Sequence, residues 1–121
     1  MADILDVTVI IKRNGRDVTG FPYQKRMVVD EIQAFSYEKA TGGGYETLPT
    51  TQIAAVQALV LTADQSISLR LDGQSDAGIT LNAGGLLLVL DSNLDAGVST
   101  NATLDNSSGS TAVVTGLGAG T

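Results

Sequence analysis

The stretch SISLRLDGQSDAGITLNAGGLLLVL, residues 66–90, decides the fold class of this chain. It opens with strict alternation, in which Ile67, Leu69 and Leu71 share one face and polar side chains stand between them. This period of two is typical of a half-buried β-strand. Turn-forming residues at 73–78 and 82–85 then separate it from two more short aliphatic runs. Strands this short, divided by turns of this kind, predict an antiparallel all-β fold.

The same pattern continues outward on both sides. Residues 53–61 are almost wholly apolar, which predicts a buried strand, with a short helix as the alternative. Residues 98–104 and 111–117 predict two more strands around the turn Asn106-Ser107-Ser108-Gly109. Spacing of roughly 10 residues favours an antiparallel β-sandwich or a jelly-roll-like barrel. The glycine-rich end, residues 116–121, is expected either to fray or to pack extended against a neighbouring subunit.

The first residues predict an N-terminal hairpin or arm. Residues 5–13, LDVTVIIKR, alternate as a strand does, and Asn14-Gly15 is a strong signal for a two-residue hairpin turn. A short return strand is expected over 17–21, ending at Pro22. Residues 26–38 fit both a helical stripe and two strand faces; without a convincing helix cap, we predict strand.

A glycine-rich loop follows and suggests a boundary. Thr41-Gly42-Gly43-Gly44 and residues 47–51 are flexible segments that are costly to order, so a neighbouring subunit is expected to order them. We therefore divide the chain into residues 1–52, an N-terminal hairpin and assembly arm or loop, and residues 53–121, a sandwich core. Both are expected within one compact domain.

Composition and charge exclude several classes of function. The chain has 121 residues, 43% of them apolar, which is enough for one core. Its net charge of −6 disfavours nucleic acid as a partner. The longest apolar run, Leu86–Leu90, is too short to span a bilayer, and the first residues lack the features of a signal peptide. We expect a protein made in a cytoplasm, with no membrane partner.

Charge is distributed unevenly along the chain. No Lys or Arg follows Arg70, and the last 51 residues carry five aspartates. Lys12, Arg13 and Arg16 cluster around the predicted hairpin turn. This cluster is either a patch that docks on an acidic partner surface or a solvated strand end. If the protein assembles, we expect the N-terminal half to offer positive charge to a neighbour's acidic C-terminal half.

The chain offers weak candidates for metal binding and catalysis. Asp91, Asn93 and Asp95 resemble the opening of a calcium loop, but Ala96 and Ala102 stand where a glycine and a bidentate glutamate are needed. A polar turn explains the same residues, so we predict no metal and no cofactor. The chain has no His or Cys, and a small hydrolase would lack the usual base. We predict a protein without enzymatic activity or a small-molecule substrate.

The run Leu86–Leu90 is apolar on both strand faces. We expect Leu87 and Val89 to lie on the face that needs a second cover, either a third layer or a subunit interface. The sequence thus nominates six interface residues: Lys12, Arg13, Arg16, Tyr45, Leu87 and Val89.

Three segments, DQSISLRLDG (64–73), GITLNAGGLLLVLD (78–91) and NSSGSTAVVTGLGAGT (106–121), resemble virion structural proteins of tailed bacteriophages. The resemblance is to capsid decoration and tail-associated β proteins. It implies a non-enzymatic subunit in many copies, arranged as a ring or trimer on a particle. Its expected partners are further copies and other virion proteins, and its location is the virion, assembled in the host cytoplasm. The alternative is a β-sandwich that binds carbohydrate or a host surface, for which exposed aromatics are available only as Tyr23, Tyr37 and Tyr45.

Overall fold

The computed structural model describes residues 2–49, 53, 55–71, 78–90 and 103–121, and within these ranges it contains strands and no helix. In chain order the strands are β1 (Asp3–Val9), β2 (Lys12–Arg13), β3 (Arg16–Asp17), β4 (Tyr23–Val29), β5 (Glu31–Lys39), β6 (Glu46–Thr47), β7 (Val56–Ala63), β8 (Ile67–Arg70), β9 (Ile79–Leu81), β10 (Leu86–Val89), β11 (Thr103–Asp105) and β12 (Ala112–Gly120). The mainly-β prediction is confirmed.

Eight of these strands form two antiparallel sheets. Sheet A has the order β10-β7-β12-β5, and sheet B has the order β6-β11-β8-β9. The arrangement is sandwich-like and does not close into a barrel, which resolves the two architectures that the sequence had left open. The remaining strands form two separate antiparallel pairs, β1 with β4 and β2 with β3; we call this segment, residues 3–29, the ribbon and its β2–β3 hairpin the tip.

The main core fills the space between the two sheets. Alternate residues of β7 and β8 point into it, as the period of two predicted for 66–71 requires. Each fully buried aliphatic side chain stabilises the fold by about 1.5–3 kcal/mol. The buried members of this core are Leu48, Ile53, Val56, Leu59, Leu61, Ala63, Ile67, Leu69, Leu104, Ala112 and Val114.

The glycine-rich end of the chain lies inside sheet A. Strand β12 pairs with β5 on one side and with β7 on the other, so residues 112–120 form a central strand. The expectation that 116–121 frays or packs on a neighbour was therefore wrong. Glycine is required at position 116 because there is no room for a side chain. A Cβ at Gly116 would overlap the Val60 carbonyl oxygen and lie 2.7 Å from Phe35 Cζ.

The ambiguous segment 26–38 is strand, as predicted, but it is divided between two strands, one in the ribbon and one in sheet A. Strand β4 ends the ribbon at Val29, and β5 begins at Glu31 and pairs with β12 along its length. Between them the Asp30 amide donates to the Gly120 carbonyl at 2.9 Å. Because β5 belongs to sheet A, the sandwich begins well before residue 53.

The hairpin predicted at Asn14-Gly15 is present. Both residues have positive φ, 52° and 80°, as a two-residue turn of this type requires. The return strand β3 is shorter than predicted and ends at Asp17, and a separate strand, β4 (Tyr23–Val29), then pairs with β1. The ribbon is therefore much longer than the short hairpin that the sequence suggested.

The faces of β10 were assigned the wrong way round. Leu87 stands opposite Leu61 and Val89 opposite Leu59, and both pack against the main core. Leu86 and Leu88 point to the outside of sheet A instead. Two apolar faces give no sequence signal for orientation, and the pairing with β7 decides it.

Candidate interaction surfaces

The base of the ribbon is anchored on sheet A. Met27 and Val29 are buried with Ala58 and Ala119 on the outer face of sheet A, and Leu5 packs at the edge of this second cluster. Of the ribbon residues that the structure describes, these three alone belong to a hydrophobic cluster. The outer face of sheet A thus already binds one end of the chain's own ribbon.

Beyond this base the ribbon exposes large apolar side chains. Ile10 is 61% exposed, Ile11 44% and Tyr23 42%. Nearer the base, Ile4 and Val28 stand opposite each other on the ribbon face turned away from the sandwich, and both are exposed. Concentrated apolar exposure of this kind marks contact surfaces, whereas a single exposed Leu or Ile would be ordinary.

An ion pair fixes the middle of the same ribbon face. Arg26 Nε donates to Asp6 Oδ1 at 2.7 Å and Arg26 Nη2 donates to Asp6 Oδ2 at 3.3 Å, across directly paired strand positions. This hydrogen bond lowers the pKa of Asp6 and raises that of Arg26. Both side chains are exposed, so the pair contributes to register more than to stability.

The ribbon tip concentrates positive charge. Lys12, Arg13 and Arg16 are all exposed, and Lys12 stands opposite Asp17. Arg13 and Arg16 face each other across the hairpin, although like charges at opposite positions disfavour a ribbon. The structure thus places these three predicted residues together on the hairpin at the ribbon tip.

A second surface lies on sheet A, beside the site that the ribbon base occupies. It consists of side chains on the outward face of β10, β7 and β12, none of which is charged and none of which belongs to a hydrophobic cluster of the described residues. Its most exposed members are Leu86, 62% exposed, and Val113, 40% exposed. We call it the outer patch; its members are Val60, Thr62, Leu86, Leu88, Val113 and Thr115.

One end of the outer patch has an acidic rim. The Val113 amide donates to Asp64 Oδ1 at 2.7 Å, and Glu38 is the cross-strand partner of Val113 on β5. Both carboxylates are exposed. The ribbon base packs at the opposite end of the sheet, near Ala58 and Ala119. The patch therefore runs from the chain's own ribbon to a pair of acidic side chains.

Tyr45, nominated as an interface residue, makes contacts within its own chain. Its hydroxyl lies 2.6 Å from Ser68 Oγ, and the Arg70 guanidinium sits 4.0 Å from the centre of its ring. The side chain is half-buried. These contacts hold the loop before β6 against sheet B, so ordering part of this glycine-rich region does not require a neighbouring subunit.

A buried lysine ties down the same loop. Lys39 is 5% exposed, and its Nζ lies 3.2 Å from Glu46 Oε1 and donates to the Gly42 carbonyl at 3.3 Å. Burial, assisted by the charge of Glu46, raises the pKa of the neighbouring Tyr37 to about 12. Asn106 also holds this region in place. Its side chain is fully buried, and its Nδ2 donates to the carbonyls of Lys39 and Ser110.

The calcium candidate Asp91, Asn93 and Asp95 lies outside the described residues. Within the described ranges, no group of three or more acidic side chains is placed to hold a metal ion. The described part of the chain also contains no helix that is long and apolar enough to cross a membrane.

Comparison with known proteins gives no relative for this chain: no family model, curated protein or solved structure matches it.

Sequence reasoning missed the apolar surfaces of the ribbon and of sheet A. The adjacent pair Ile10-Ile11 was a signal for the apolar surface of the ribbon. Neighbouring residues on a strand face opposite sides, so one of the two isoleucines must point away from any single core. For the apolar surface of sheet A, the run Leu86–Leu90 showed that β10 has two apolar faces. The prediction was wrong only about which of these faces points to the core.

Proposed function

We propose that this chain is a non-enzymatic structural subunit of a tailed-bacteriophage virion. It assembles in many copies, either as a capsid decoration or cement protein or as a component of the tail or head–tail junction. The observation that carries the proposal is the ribbon, which beyond its packed base exposes Ile10, Ile11 and Tyr23 and a cluster of basic residues at its tip.

The exposed apolar residues favour a partner on energetic grounds. Removing apolar surface from water is worth about 25 cal/mol for each Å². Five of the large hydrophobic residues with high exposure lie on the ribbon: Ile4, Ile10, Ile11, Tyr23 and Val28. Burial of these side chains against another subunit would stabilise the ribbon and would join the two subunits.

Charge supports self-assembly in particular. The ribbon region, residues 1–29, has five basic and three acidic residues, for a net charge of +2, whereas residues 30–121 have two basic and ten acidic residues, for −8. Copies of one chain can therefore attract each other when the ribbon of one meets the sandwich of the next. The assignment to a virion rests on the resemblance of residues 64–73, 78–91 and 106–121 to phage structural proteins.

The alternative, a module that binds carbohydrate or a host surface, has less support. Such a site is expected to present aromatic rings near loop ends, but Tyr45 is stacked with Arg70 and Tyr37 is half-buried. Tyr23 is exposed, but it lies on a strand of the ribbon and not in a loop of the sandwich.

Size-exclusion chromatography with light scattering over a range of concentrations tests the self-assembly. We expect a discrete oligomer, visible as a ring or trimer by negative-stain electron microscopy. A strict monomer at high micromolar concentration would contradict the proposal. Quantitative mass spectrometry of purified particles tests the virion assignment: many copies per particle support it, and absence from the particles contradicts it.

A further inference from the structure

We propose that the ribbon of one copy docks on the outer patch of sheet A in a second copy, with its basic tip at the acidic rim formed by Glu38 and Asp64. The inference rests on the proposed self-assembling function and names the two surfaces that would join.

The proposed contact is continuous with one that each chain already makes between its ribbon base and sheet A. Met27 and Val29 of the ribbon pack on Ala58 and Ala119, at one end of the outer face of sheet A. The outer patch lies on the same face and continues from that contact toward β10 and the far end of β12. The ribbon of a second copy, placed on the outer patch, would extend the cover that the chain's own ribbon base provides for the outer face of sheet A.

The ribbon is long enough to reach along a strand of a neighbour. Strand β1 has seven residues and spans on the order of 23 Å, and the β2–β3 hairpin follows it in the chain. Among the described residues, the hydrophobic clusters include ribbon side chains from its base, whereas Ile10 and Ile11 are exposed. This length is comparable to that of β12, which has nine residues.

The two surfaces are complementary in polarity and charge. The outer patch is uncharged, with Leu86 and Leu88 on the edge strand β10 and Val60 beside them on β7, and it offers burial to Ile10, Ile11 or Tyr23. Its rim carries Glu38 and Asp64, both exposed. Lys12, Arg13 and Arg16 at the ribbon tip have the opposite charge, and contact with the carboxylates would also relieve the repulsion between Arg13 and Arg16.

A second copy fits these features better than a different protein would. The apolar part of the ribbon faces the apolar part of the patch, its positive tip faces the negative rim, and both surfaces occur on every copy. Contacts of this head-to-tail kind form rings when the rotation closes.

Cysteine cross-linking tests the contact directly, because the chain contains no native Cys. One preparation carries Ile11→Cys and another carries Val113→Cys; the two are mixed and oxidised. A disulfide needs Cα atoms about 4.4–6.8 Å apart, so it reports close approach. We expect a mixed dimer linking positions 11 and 113, because Val113 lies beside the acidic rim that the ribbon tip would contact.

Ile79→Cys is the matched control. Ile79 and Val113 are each 40% exposed, but Ile79 lies on β9 of sheet B. Ile11→Cys should cross-link with Val113→Cys at least about tenfold more than with Ile79→Cys, since collisions alone depend on exposure and not on which sheet carries the thiol. Equal yields for the two, or no mixed dimer with Val113→Cys, would overturn the proposal.

A charge exchange provides an independent test in which no new covalent bond is needed. Arg13→Glu and Glu38→Arg should each weaken self-association by about fivefold, the range expected for an exposed ion pair. The double variant should recover most of the loss, because the two charges would again be opposite across the contact. Losses that simply add, or no loss at all, would contradict the assigned pairing of tip and rim.

The experiments distinguish this inference from the proposed function. If the unmodified chain remains a monomer, self-assembly itself fails and the ribbon contact fails with it. If the chain assembles but neither the cross-link nor the recovery is observed, only the ribbon contact is overturned and the subunit role stands. Circular dichroism of each variant verifies the β fold, which substitutions at these exposed positions should preserve.

Discussion

Gly116 shows how a single small residue sets the packing of sheet A. It stands on the central strand β12 opposite Phe35, whose ring covers the space where a side chain would be. An aromatic ring across from a strand glycine compensates in part for the missing side chain. The position therefore tolerates no Cβ, even though its backbone needs no left-handed conformation.

We expect Gly116→Ala to lower the free energy of unfolding by about 2–3 kcal/mol, since the new methyl group would force β12 away from Val60 or displace Phe35. Urea denaturation followed by circular dichroism measures this. Thr115→Ala is the control: Thr115 is exposed on the same strand, and its substitution should cost less than about 1 kcal/mol. Equal losses would show that the clearance at Gly116 is unimportant.

Tyr37 gives the fold a specific response to alkaline pH. Burial, followed by the charge of Glu46, raises its pKa from 10.0 to about 12. Between these values the unfolded chain releases the phenolic proton while the folded chain retains it, so stability falls as the pH rises. Tyr37→Phe should remove this part of the slope. Urea midpoints below pH 10 and near pH 12 test it: a Phe variant that loses as much stability as the parent chain would contradict the assignment.

At the scale of elements, the ribbon and the sandwich should differ in local stability. The ribbon rests on cross-strand hydrogen bonds and a small base cluster, whereas the sheets enclose the main core. Elements with few buried apolar contacts open locally without global unfolding. The distal ribbon is thus expected to be the least protected ordered segment among the described strands.

Gly15→Val tests this separation. A β-branched residue at a φ of 80° is strained by about 1–2 kcal/mol, so the hairpin should open locally. Hydrogen exchange of the Val18 amide, which donates to the Ile11 carbonyl, should accelerate, while Leu61 stays protected. Asn14→Gly, which keeps the turn, serves as the control. A fall in the thermal midpoint of the sandwich would show that the ribbon tip is not independent.

At the scale of the whole molecule, the partition of charge between ribbon and sandwich should govern association. Changing Lys12, Arg13 and Arg16 together to Gln should weaken self-association by about tenfold at low salt, because three exposed interactions are lost. The effect should shrink as salt screens the remaining charges. Sedimentation velocity at two salt concentrations measures both.

A neutral exchange on the same ribbon provides the control for this triple variant. Asp6→Asn combined with Arg26→Gln removes an internal ion pair, leaves the net charge unchanged and leaves the tip intact. It should associate like the parent chain. Association that is insensitive to the tip charges but sensitive to this pair would place the contact elsewhere on the ribbon.

The sequence by itself determined the local structure. Alternation over 66–71, the Asn14-Gly15 turn and the absence of helix caps around 26–38 are properties of neighbouring residues, and they correctly predicted strands, a hairpin and an all-β fold. The cluster of Lys12, Arg13 and Arg16 could likewise be found from the sequence, because residues that flank a two-residue turn must lie close together.

The tertiary structure decided which faces are inside. Leu87 and Val89 point to the core, and Leu86 and Leu88 point outward, because the register between β10 and β7 fixes the sidedness of a strand with two apolar faces. It also placed Asn106, which the sequence indicated only as a turn residue, at a buried position that holds two carbonyl groups. Sidedness and burial arise from pairing between residues that are distant in the chain, and a pattern of neighbours carries no information about such pairing.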